Sequence, residues 1–176
     1  PQSLNVAVAG KDGAAVMMGG RNVDQRWFWD GKKFASDNKS AAVPATIAKA
    51  NAALTVALAP ARQPLALPPS CQAKATPYVL TPQLTVGAGR FSRAAGDVRA
   101  FRASPEFDGA VLAIAAGLVQ ELRLGRDAAP DVLSVGLSAT DYVGHGLGCG
   151  GAEMCLHLLS LDRDLRRFFY VVDAEG

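Results

Sequence analysis

The chain has 176 residues, 49% of them apolar, and its 18 Lys and Arg residues exceed its 16 Asp and Glu residues by only two. This length suits one domain, or a large piece of one, with enough apolar side chains to bury a core. The small charge excess, and arginines that are scattered without interleaved aromatic residues, argue against binding of a nucleic-acid polymer or a charged lipid surface.

Neither the apolar segments nor the first residues predict a membrane span or a signal peptide. No apolar run approaches the roughly 20 residues that cross a bilayer. The opening sequence, PQSLNVAVAG, lacks the basic and then apolar segments of a leader. Because the chain begins almost inside a predicted strand and ends abruptly at RRFFYVVDAEG, we expect a fragment that is cut at both ends.

The first third of the chain predicts a strand, then a short helix or a second strand, then a hairpin and a helix. Residues 3–10 alternate and are β-branched, which indicates a buried strand that ends near Gly10. Residues 11–20 predict a loop followed by either a short helix or a second strand. Residues 26–36 predict a hairpin that turns at Asp30 and Gly31. Residues 44–59 are rich in Ala and Leu after a proline, which is typical of a helix.

The remainder predicts an irregular excursion and then a regular alternation of helix and strand. Six prolines fall between positions 60 and 82, so this segment is expected to be irregular, with a short strand in residues 83–91. A helix is predicted from 105 to about 124, with Ser104 as its cap. Residues 131–139 predict a central parallel strand covered on both faces, and a last helix begins near Gly151. The pattern favours an α/β fold with a mostly parallel central sheet sandwiched by helices.

The polar turn predicted directly after the strand at 131–139 contains the best candidate site. It places Asp141 and His145 four residues apart, and ligand sites in α/β sheets gather outside the carboxyl ends of strands. Carboxylate oxygen and imidazole nitrogen are common zinc ligands, but zinc takes three or four of them. Asp141 as a turn cap and His145 as an ordinary loop residue are the alternatives. His157, the remaining histidine, is expected on the surface of a helix or in the core.

The three cysteines predict no zinc finger, because none forms a CxxC pair. One disulfide is compatible with the odd number, which leaves at least one thiol free. Cys71 with Cys155 is one of the three possible pairings, and the spacing does not select among them.

The segment 133–169 resembles the alkaline phosphatase superfamily, in the bacterial branch that groups with type I phosphodiesterases and nucleotide pyrophosphatases. The shared pattern is a strand, then D-Y-x-G-H (DYVGH from position 141), then a helix with a Leu-Asp pair. The resemblance implies that Asp141 and His145 bind one of two zinc ions. The KDGAA run from position 11 matches a K-D-R-A-A run, which implies that Lys11 binds phosphate. Gly13 stands where that run has arginine, a bidentate phosphate ligand.

The resemblance implies a single partial alkaline phosphatase-like domain over residues 1–176, with the proline-rich excursion at about 60–82. The family's nucleophilic threonine or serine lies upstream of the lysine run, and its A-D-H-G metal motif lies downstream of the Leu-Asp helix. The implied reaction is two-step, zinc-dependent hydrolysis of a small phosphate ester, in the periplasm or outside the cell. Monoester or diester preference, the metal's identity and the oligomeric state stay open. The alternative, which Gly13 favours, is a degenerate non-catalytic domain that binds a phosphorylated ligand or a protein partner.

Overall fold

The computed structural model describes residues 3–39 and 42–175. Six strands and seven helices follow one another in this part of the chain: β1 (Asn5–Ala9), α1 (Asp12–Gly19), β2 (Gln25–Trp29), β3 (Phe34–Ala35), α2 (Ala45–Leu58), α3 (Pro69–Gln72), β4 (Tyr78–Thr81), β5 (Leu84–Val86), α4 (Val98–Arg102), α5 (Pro105–Glu121), β6 (Val132–Gly136), α6 (Ala139–Leu147) and α7 (Ala152–Glu175).

A four-stranded sheet in the order β3-β2-β1-β6 lies at the centre. β1 is parallel to β2 and to β6, and only β3 is antiparallel, so the predicted mostly parallel sheet is confirmed. β6 differs from its prediction as a strand covered on both faces. It pairs with β1 alone among the described strands, and Val132 at its start is 54% exposed.

Helices cover both faces of the sheet, because side chains alternate across each strand. Val6 and Val8 of β1 point into the main core, where they pack with Phe107 of α5 and its neighbours. Ala7 lies on the other face against α1, so close that a Cβ added at Gly19 would come within 3.0 Å of it. The small residues on this face therefore let α1 approach the sheet.

The hairpin predicted at positions 26–36 is confirmed and contributes to the core. β2 and β3 pair antiparallel around Gly31, whose φ of 104° suits glycine. Trp29 and Phe34 meet edge-on across the hairpin, with ring centroids 5.5 Å apart. Phe101 and Phe107 contact Trp29 in the same way, at 5.5 and 5.9 Å. This aromatic cluster ties the hairpin to α4 and α5.

The helices largely match the sequence pattern, with some differences. Residues 11–20, left open as helix or strand, contain α1, and α4 was not predicted. Ser104 precedes α5 as expected, but its hydroxyl makes no cap. It donates instead to the carbonyl of Phe101, at 2.8 Å, because the preceding helix brings that acceptor into the buried space beside it.

No helix in residues 3–39 or 42–175 has the length and apolar composition to span a bilayer.

The proline-rich excursion is mostly irregular, apart from α3 and β4, and it is fastened to the start of α7. Cys71 and Cys155 form a disulfide, which selects one of the three possible pairings, and Cys149 is a free, exposed thiol. Beyond the excursion, one oxygen of the buried Glu153 accepts hydrogen bonds from the amides of Gly87 and Gly89, at 3.0 and 2.8 Å. α7 thus holds residues 71 and 87–89 at one end of the molecule.

Candidate functional site at the carboxyl edge of the sheet

β1 and β6 place the candidate residues at one edge. The two strands are parallel neighbours, with Ala9 opposite Gly136, so their carboxyl ends meet. Lys11 lies two residues past the end of β1, and Asp141 lies five residues past the end of β6. The ammonium of Lys11 donates a hydrogen bond to Oδ2 of Asp141. The two residues predicted to bind phosphate and metal are therefore in direct contact, while their roles stay predictions.

Asp141 and His145 lie on a helix, which corrects the expectation of a turn. Both belong to α6, and residues four apart on a helix share one face. His145 Nε2 lies 3.3 Å from Asp141 Oδ1, so the two side chains converge. Asp141 is 48% exposed and His145 is 83% exposed, which leaves both accessible to a ligand. The hydrogen bond from Lys11, with further help from His145, holds the pKa of Asp141 below its usual value although partial burial opposes this.

Tyr142 gathers two cations above its ring. The Lys11 ammonium lies 4.6 Å from the ring centroid, and the Arg102 guanidinium lies 4.7 Å from it. Such cation–π contacts stabilise a positively charged side chain over an aromatic face. The ring is itself fixed edge-on against Phe107, at 6.2 Å. Arg102 was among the scattered arginines that the sequence assigned to a solvated surface; its packing beside Lys11 is a tertiary contact without a local sequence signal.

A buried carboxylate from α5 supports the start of α6. Oδ1 of Asp108 accepts hydrogen bonds from the amides of Ser138 and Ala139, at 2.8 and 2.9 Å. A carboxylate at this position satisfies free amides and complements the positive end of the helix dipole. Asp108 is only 1% exposed. Burial raises its pKa, and the backbone hydrogen bonds act in the opposite direction. This cap has no local sequence signal, because Asp108 precedes Ser138 by 30 residues.

His157 lies beneath α6 rather than in the candidate site. It is fully buried, so that of the two expected positions, helix surface or core, the structure selects the core; its Nε2 is 2.7 Å from Oγ1 of Thr140. The same nitrogen is 3.8 Å from Oδ2 of Asp108. Burial lowers the pKa of His157, although the nearby carboxylate opposes this. The ring therefore forms part of the support under α6.

Asp141 and His145 fit part of a zinc site. Their oxygen and nitrogen donors converge, and this donor chemistry suits zinc. Among the residues that the structure describes, no group of three or more His, Cys, Asp or Glu side chains is arranged to hold a metal ion. The residues present thus supply two ligands of the three or four that zinc takes.

Gly13 lies in the first turn of α1 and faces open space. A Cβ added there would meet nothing within 4 Å, and its φ is not in the left-handed region. An arginine is therefore sterically compatible with this position. The backbone conformation does not require glycine at this position.

Comparisons with known proteins show what this chain is similar to. No protein-family model matches it. It is 43% identical over 176 residues to alkaline phosphatase PhoK of Sphingomonas sp, and 40% identical over 178 residues to alkaline phosphatase PhoD of Zymomonas mobilis. These matches support membership of the chain in the alkaline phosphatase superfamily. Both of these alkaline phosphatases align with all of this chain, and it spans 31% of the length of each.

The fold agrees with that of a known alkaline phosphatase. The crystal structure of wild-type alkaline phosphatase PafA superposes with a TM-score of 0.78 at 24% sequence identity, over 98% of this chain and 36% of that one. At this identity the likeness supports the fold alone. Together these relatives establish the resemblance to the alkaline phosphatase superfamily that the motifs at positions 11 and 141 predicted.

Proposed function

We propose that this chain is part of a metal-dependent phosphoric ester hydrolase of the alkaline phosphatase type. The observation that carries the proposal is the convergence of Lys11, Asp141 and His145 at the carboxyl edge of β1 and β6. These three residues, predicted from two motifs about 130 positions apart, form one cluster. The names of the relatives PhoK and PhoD support the same class of reaction.

In the proposed reaction, the residues of this chain bind and orient the phosphoryl group. Asp141 and His145 would hold one of two zinc ions, and zinc would supply stabilisation of the negative charge that develops during phosphoryl transfer. Lys11 neutralises a non-bridging phosphate oxygen. Its ammonium pairs with Asp141 at the open edge of the sheet, with 37% of the side chain exposed, so it can reach a phosphate there. The hydroxyl nucleophile and the ligands of the second zinc ion are proposed to lie outside residues 1–176.

We further propose a small phosphate ester as substrate and a periplasmic or secreted location. The disulfide between Cys71 and Cys155 supports an oxidising compartment, because such bonds are rare in the reducing cytosol. A non-catalytic domain that binds a phosphorylated ligand or a protein partner is the second candidate, and Gly13 favours it. An arginine clamp removed from a phosphoryl-transfer site lowers the rate on the order of 10²-fold or more.

A hydrolysis assay tests the proposal. We expect the 176-residue chain with added zinc to hydrolyse p-nitrophenyl phosphate no faster than a zinc-only blank, because a positioned nucleophile is required for covalent phosphoryl transfer. The longer polypeptide of which it is proposed to be a part should show turnover. The diester analogue, assayed in parallel, distinguishes the two substrate types.

Two results would contradict this proposal in different ways. Turnover by the 176-residue chain that disappears in Asp141→Ala would show that the nucleophile is among these residues. An inactive longer polypeptide that retains zinc would support the non-catalytic alternative.

A further inference from the structure

Arg102 faces the same cavity as Lys11. A cavity of about 430 Å³ opens at the carboxyl edge of the sheet, beside the candidate site. Its lining includes Lys11, Asp12, Phe28, Asp30, Arg102 and Tyr142. The two cations lie on one aromatic ring, at 4.6 and 4.7 Å from its centroid, so their separation does not exceed the sum of these distances. One small anion between them is within reach of both long side chains.

The N–H donors of the Arg102 guanidinium are unpaired in the described part of the chain. Arg102 is the last residue of α4 and is half-buried, and its guanidinium forms no ion pair or hydrogen bond with any residue in the described part of the chain. A guanidinium carries five N–H donors in a planar fork that matches two oxygens of a phosphate. The contact with Tyr142 orients this fork without occupying its donors.

The two carboxylates of the cavity have backbone partners of their own. Asp12 Oδ1 accepts a hydrogen bond from the amide of Gly13, at 2.8 Å. Asp30 Oδ1 accepts from the amides of Lys32 and Lys33, at 2.8 and 2.9 Å, within the hairpin turn. Neither carboxylate is paired with Arg102. The cavity therefore offers an anion one guanidinium that carries no acidic partner.

We propose that Arg102 binds the phosphoryl group of the substrate together with Lys11, in place of the arginine that Gly13 replaces. The ligand class is a phosphate monoester or inorganic phosphate. The inference rests on the proposed function, because it requires Lys11 to face phosphate. It accounts for a phosphate site that lacks arginine in α1 but receives one from α4, which packs on the same tyrosine ring as Lys11.

Inorganic phosphate is the probe, titrated into the 176-residue chain and followed by amide chemical shifts against sodium chloride at matched ionic strength. We expect Arg102→Gln to weaken phosphate binding about tenfold or more, since charge-assisted hydrogen bonds are lost. Arg99→Gln is the matched control: Arg99 lies on the same helix, is exposed and does not line the cavity. The Arg99→Gln variant should bind phosphate with the same affinity as the parent.

A rescue separates binding from support of the fold, because Arg102 also packs on Tyr142. Gly13→Arg, added to Arg102→Gln, should restore affinity to within about threefold of the parent, since an arginine at either position supplies the same fork. Failure of this rescue would overturn the assignment, as would parent-like binding by Arg102→Gln. If Lys11→Gln abolishes phosphate binding and Arg102→Gln does not weaken it, only the proposed role of Arg102 is wrong. If the parent binds no phosphate, or if Lys11→Gln and Arg102→Gln both bind phosphate as tightly as the parent, the proposed function fails as well.

Discussion

Asp141→Ala in the longer polypeptide is expected to lower kcat/KM for p-nitrophenyl phosphate by about 10³-fold. The substitution removes the carboxylate that both Lys11 and His145 contact, and with it the oxygen ligand proposed for zinc. A bound metal ion contributes several kcal/mol to charge stabilisation in the transition state, and about 1.4 kcal/mol corresponds to a tenfold rate change. Steady-state kinetics with saturating zinc measure the effect.

Asp173→Ala provides the matched control for this loss. Asp173 is an exposed carboxylate on α7, and its removal should leave kcat/KM unchanged. Because the Asp141 side chain is half exposed, its alanine variant should melt close to the parent, which excludes unfolding as the cause. A loss smaller than tenfold in a folded, zinc-saturated Asp141→Ala protein would contradict the assignment of this carboxylate.

Asp108→Ala is expected to lower the free energy of unfolding of the 176-residue chain by about 3 kcal/mol. It deletes two hydrogen bonds from a charged acceptor and leaves the amides of Ser138 and Ala139 buried without partners. Hydrogen bonds to charged groups contribute roughly 1.5–3 kcal/mol each, and an orphaned buried donor has a cost of its own. Urea denaturation followed by circular dichroism measures the change.

Asp97→Ala isolates the contribution of burial to this effect. Asp97 caps its own helix, α4, and one of its oxygens also accepts from two amides, those of Arg99 and Ala100 at 3.0 Å each, but it is only half-buried. Water can satisfy the amides that its removal frees, so we expect a loss of about 1 kcal/mol. Equal losses for the two alanine variants would show that Asp108 is an ordinary helix cap.

Local sequence patterns predicted the elements whose causes are local. The alternation in β1, the glycine turn of the hairpin and the proline before α2 are features of a few consecutive residues, and all three elements are present. α6 was predicted as a polar turn; Gly144 and Gly146 lie within it, and glycine disfavours helices. Its helix is supported from outside the segment, by the carboxylate of Asp108 and by the burial of Val143.

In the candidate site, too, local motifs predicted some residues, whereas others depend on tertiary packing. The motifs at positions 11 and 141 located Lys11, Asp141 and His145, but the contact between Lys11 and Asp141 depends on the pairing of β1 with β6. Arg102 reaches the site through packing of the short helix α4 on Tyr142, far from either motif in sequence. Long-range packing of this kind has no periodicity in the sequence.

A zinc titration of the 176-residue chain, followed by amide and histidine ring chemical shifts, decides whether Asp141 and His145 bind the metal. Cys149→Ser should serve as background, because this exposed thiol is a competing zinc ligand. We expect zinc-dependent shifts centred on residues 141 and 145, and their loss in either Asp141→Ala or His145→Ala. Saturable shifts elsewhere on the chain, with residues 141 and 145 unaffected, would contradict the metal site.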